Sequence, residues 1–78
     1  MKRLYWVYFG PDALRTAEHF AVHLGEFLTR EGLSAAVRGT ESGGVGRAAA
    51  YCDLEDDAAE RVAKALRPRV VQDVPAAV

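Results

Sequence analysis

The sequence predicts an α+β domain with the element order β-α-β-β-α-β, and three observations predict it. An unbroken apolar and aromatic run, Leu4-Tyr5-Trp6-Val7-Tyr8-Phe9, follows Arg3 and has no helical period. Two later stretches do repeat at the helical period. The segments between and after them are short, and glycine- or proline-bearing turns separate them.

The opening run reads as a strand, because aromatic and β-branched residues suit a pleated, half-buried surface. Alternation along it places Leu4, Trp6 and Tyr8 on one face and Tyr5, Val7 and Phe9 on the other. Both faces are bulky. Gly10-Pro11-Asp12 is a turn into the first helix, with proline at a position whose missing N–H costs nothing and Asp12 at the positive end of the dipole. From there to Glu31, Ala13, Leu14, Ala17, Phe20, Ala21, Leu24, Phe27 and Leu28 share one arc, opposite Arg15, Thr16, Glu18, His19, His23, Glu26 and Arg30. Gly32 supplies a left-handed cap, with Leu33 placed for the hydrophobic contact behind it.

Residues 33–39 read as a second strand, with Leu33, Ala35 and Val37 inward and Ser34 and Arg38 outward. A flexible hairpin connection is expected over Gly39–Gly46, and a third strand over Arg47–Asp53. Asp53 suits the N-cap of a second helix whose first turn holds Glu55, Asp56 and Asp57. Leu54, Ala58, Val62, Ala65 and Leu66 are its apolar stripe, and Asp57–Arg61 and Glu60–Lys64 are paired in the favourable order on its wet side. Arg67-Pro68 ends it, Arg69–Val74 is a short last strand, and residues 75–78 are expected to be a loose tail. Two such halves joined by right-handed crossovers make a ferredoxin-like α/β plait over residues 1–74: a four-stranded antiparallel sheet with both helices on one face and strands one and three central.

Composition narrows the function classes. The 78 residues are half hydrophobic and 27% charged, with a net charge of −1, a globular balance with no general pull toward nucleic acid or anionic membranes. One cysteine makes no internal disulfide, and no Cys/His spacing suggests zinc. The opening apolar run is too short for a signal peptide and stops at Gly10-Pro11, and no stretch approaches a membrane span. A cytoplasmic domain without a cofactor is the expectation. No nucleophile–base set points to an enzyme.

The candidate site is the sheet face that the helices leave free. Alternation allows either half of the first strand there; the assignment is Tyr5, Val7 and Phe9, beside Ala49 and Tyr51 of the third strand, whose Arg47 and Asp53 also face outward, with Ala48, Ala50 and Cys52 toward the helices. Large apolar side chains exposed together usually mark an interface, and symmetric dimers are the commonest oligomers, so a homodimer through this face is expected. Cover by the chain's own loops is the alternative.

Leu4-Tyr5-Trp6-Val7-Tyr8-Phe9 resembles the first-strand motif of RNA-recognition motifs, which share this topology and stack bases on aromatics of strands one and three. That resemblance implies RNA or single-stranded DNA, or a small ligand, on the same face. The third strand, Gly46-Arg47-Ala48-Ala49-Ala50-Tyr51, departs from the motif by placing alanines where aromatics are needed, and the chain lacks a basic excess. Amino-acid-sensing ACT-type domains and the peptidoglycan-binding sporulation-related domain share the plait as fold analogies only.

His19 and His23, four apart on one helix face with Glu26 a turn on, could offer metal ligands, although one straight helix rarely brings a full set to one ion, and Arg15 and Arg30 would repel a cation. The glycine-rich loop lacks the Lys-Ser/Thr of a phosphate-binding loop. Cys52 reads as an inert core thiol.

Overall fold

A computed structural model describes residues 1–75. The elements run β1 (Lys2–Phe9), α1 (Ala13–Arg30), β2 (Val37–Ser42), β3 (Arg47–Leu54), α2 (Asp56–Leu66) and β4 (Val70–Asp73). The strands form one antiparallel sheet in the order β2-β3-β1-β4, so β1 and β3 are central, as the plait requires. Of the tail expected at 75–78, only Pro75 lies within the described residues, and it is exposed.

The β1–β3 register sets both faces of the sheet. Leu4 lies opposite Cys52, Trp6 opposite Ala50 and Tyr8 opposite Ala48, and this set faces the helices. Leu4, Cys52 and Leu54 pack with Leu24 and Leu28 of α1 and Ala59 and Val62 of α2 into the main core. Small alanines on β3 leave room for the larger side chains of β1 and α1. Trp6 stacks at a tilt on Phe20, with ring centroids 4.9 Å apart, and its indole N–H donates to the Leu66 carbonyl at 3.0 Å. That bond satisfies a buried donor and ties down the C-terminus of α2.

The end of α1 forms as the Gly32-Leu33 pair predicts. Gly32 has φ +70°, its N–H donates to Thr29, and the Leu33 N–H donates to Leu28. These are the two bonds of a Schellman cap.

Other local expectations need correction. Residues 33–36 are not strand: Leu33 and Ala35 pack on the core from a connecting segment, and β2 begins only at Val37. Val37 is therefore on the helix-free face and exposed, while Arg38, expected outward, lies on the helix side across Gly25 of α1. Gly39–Ser42 belongs to β2, and the turn is confined to Gly43–Gly46, where Gly44 and Gly46 hold positive φ. Leu14, in the first turn of α1, is 45% exposed, and Ala65 also faces solvent. Asp53 and Leu54 remain in β3, so Glu55 stands at the start of α2. Arg61 pairs with Glu31 of α1 at 3.1 Å in place of the expected Asp57, whereas Glu60–Lys64 forms at 3.3 Å.

Candidate functional site: the helix-free sheet face

Opposite residues of an antiparallel pair share a face, so the register also builds the other side of the sheet. Tyr5 lies across from Tyr51, Val7 from Ala49, Phe9 from Arg47 and Arg3 from Asp53. Val70 of β4 flanks Tyr5, and Gly39 and Glu41 of β2 flank Tyr51 and Ala49. The side-chain assignment made from alternation is thus the one the fold adopts. Phe9 is 66% exposed, and Tyr5, Val7 and Tyr51 are half-buried. Ala49 shares the face but has no exposed surface, so it is floor and not contact. Its methyl is too short to reach past the larger side chains around it.

Tyr51 leans toward the edge of the sheet because Gly39 gives it space. A methyl added at Gly39 would come within 3.1 Å of the Tyr51 hydroxyl oxygen. An aromatic laid across a strand glycine covers backbone that the glycine leaves bare. The Tyr5 and Tyr51 rings are 6.1 Å apart and tilted by 43°.

One end of the face is polar. The Arg3 guanidinium donates from Nε to Asp53 Oδ1 at 2.6 Å and from a terminal nitrogen to Oδ2 at 2.9 Å, and it sits 5.4 Å over the Tyr51 ring. The hydrogen bonds to Asp53 raise the Arg3 pKa further above its ordinary value. The sequence places Asp53 on this face but does not show its pairing with Arg3, since an acidic residue ahead of a helix also resembles a cap. The signal available was the antiparallel register itself, which sets position 3 beside position 53. At the other end Arg69 lies 5.9 Å from the Phe9 ring.

His19 and His23 do come together, with Nε2 atoms 3.1 Å apart. Glu26 approaches His23 at Nδ1, also at 3.1 Å. The carboxylate and His19 thus address different nitrogens of one ring, and no three of the described histidine, cysteine, aspartate and glutamate residues gather as a metal site. Cys52 is fully buried, and burial first, then the Asp53 charge, pushes its thiol up to about 12. A thiol held neutral in this way is a poor nucleophile. No described helix is long and apolar enough to cross a membrane.

Comparison with protein-family models, with curated proteins and with solved structures finds no match to this chain.

Proposed function

We propose that the protein is a small non-enzymatic interaction or regulatory module that associates with a second copy of itself through the helix-free sheet face. The observation that supports this most is the row Tyr5, Val7 and Phe9, backed by Tyr51 and Val70, on a face with no helix over it. Burying these side chains in a partner removes apolar surface from water at roughly 25 cal/mol per Å². The charges suit a two-fold contact. Arg3 is neutralised by Asp53 and Arg47 is offset by Glu41, which leaves Arg69 beside Phe9 as the one excess charge among the described residues, so a copy meets its own image with a like-charge penalty confined to that end. A buried free thiol suits a reducing cell interior, which we take as its location.

A second reading rests on the Tyr5–Tyr51 pair, whose rings lie side by side across the central strands and could stack on bases of RNA or single-stranded DNA, or on a small planar ligand. Arg3 already occupies one side of Tyr51, which favours the first reading. Size-exclusion with light scattering separates them. Self-association gives twice the 8.5 kDa chain mass, unchanged by oligonucleotide. A monomer whose tyrosine fluorescence is quenched by single-stranded oligonucleotide, while the buried Trp6 on the other side of the sheet is unaffected, supports the second reading and rejects the first.

A further inference from the structure

β1 is longer than the strand beside it. It pairs with β3 along all eight residues, but β4 reaches only Lys2–Tyr5. Backbone groups of successive strand residues point to alternate sides, and three bonds fix which residues address which side. The Gly10 N–H donates to Gly46 on the β3 side at 2.8 Å. On the other side the Arg69 N–H donates to the Tyr5 carbonyl at 2.8 Å, and the Val74 N–H to the Met1 carbonyl at 3.0 Å. Odd-numbered residues of β1 therefore turn their N–H and C=O groups toward β4. Val7 and Phe9 do so where β4 is absent, and among the described residues these groups have no backbone partner.

The space next to this open edge is a cleft of about 300 Å³ lined by Trp6, Val7, Tyr8, Arg67 and Arg69. Its charged lining is entirely basic. Phe9 stands exposed at its end. Arginines on an edge discourage pairing with another basic edge, including that of a second copy, and favour a strand carrying the opposite charge.

We propose that the open half-edge of β1 at Val7–Phe9, with Arg67 and Arg69, docks an extended acidic peptide segment. The segment adds as a short strand, exchanging backbone hydrogen bonds with Val7 and Phe9 and placing its carboxylates on the two guanidiniums. This edge lies in the plane of the sheet and does not depend on what covers the free face.

Amide hydrogen exchange by NMR tests it, using a short peptide of alternating valine and glutamate as the probe and its valine–lysine counterpart as control. In the free protein the Val7 and Phe9 amides should exchange fast while the Tyr8 amide, turned toward β3, is protected. Saturating glutamate peptide should slow Val7 and Phe9 by about tenfold or more, and the lysine peptide should not. Arg69→Ser should weaken the effect and Arg67→Glu with Arg69→Glu abolish it, with the rest of the amide spectrum unchanged. If the double variant is unfolded, Arg69→Ser alone decides. The proposal is overturned if Val7 and Phe9 are as protected as Tyr8 without peptide, if both peptides act alike, or if neither acts. Slowing at the Val7 and Phe9 amides that rises with protein concentration alone, with the Tyr5 and Tyr51 ring resonances of the free face unmoved, would make a second copy the occupant of the edge and overturn it too.

Discussion

Arg3 and Asp53 close a two-bond guanidinium–carboxylate pair across the central strands on the helix-free face, with N···O distances of 2.6 and 2.9 Å. The partners are unequally placed: the Asp53 side chain is 7% exposed and that of Arg3 32%. Arg3→Ala leaves a carboxylate shut away from water without its cation. Asp53→Ala leaves a guanidinium that can swing its head into solvent on an aliphatic stem. Urea unfolding should therefore show Arg3→Ala to be the more destabilising of the two. Equal losses would mean that the stranded Asp53 carboxylate is hydrated as readily as the stranded Arg3 guanidinium, and small losses in both would make this no more than a surface ion pair.

Gly25 interrupts the middle of α1, where glycine costs a helix up to about 1 kcal/mol relative to alanine. A methyl there would overlap the Arg38 guanidinium, which is the free end of a flexible side chain and can move aside. Gly25→Ala should leave stability unchanged or raise it by up to about 1 kcal/mol in thermal or urea unfolding. A loss of that size or larger would show Arg38 to be held against the helix by more than vacancy.

Cys52 gives a pH dependence with a definite sign. Burial raises its thiol from 9.0 to about 12 in the folded chain, so the folded state holds this proton more tightly than the unfolded state. Its contribution is complete below pH 9 and is lost as pH climbs toward 12. Tyr8, raised by burial as well, acts in the same direction. Urea midpoints should fall across that window, and at pH 8 the thiol should react with a disulfide reagent only after denaturant is added. Prompt reaction in buffer would place Cys52 at the surface.

What could be read from the sequence followed the range of the interaction. β1, α1 and the Gly32-Leu33 cap are local patterns, and each formed as its spacing implies. The second strand misled, because Leu33 and Ala35 alternate like a strand's inner residues while packing from a connector. The actual β2 is Val-Arg-Gly-Thr-Glu-Ser, an edge whose polarity gives no apolar signal. The free face was legible in its residues but not in its joins: Arg3 meets Asp53 across fifty positions, and Tyr51 rests over Gly39 through strand pairing alone. The exposed half of β1 depended on where β4 stops, which no local pattern marks.

The free face as a self-association surface is tested most directly by Val7→Glu. Val7 lies in the middle of the exposed row, opposite the floor residue Ala49, and makes no contribution to the helix-side core. Light scattering should give a dimer mass for the wild-type protein and the 8.5 kDa monomer for the variant, with far-ultraviolet circular dichroism unchanged. A wild-type protein that is already monomeric at high concentration, or a variant that keeps the dimer mass, contradicts the account.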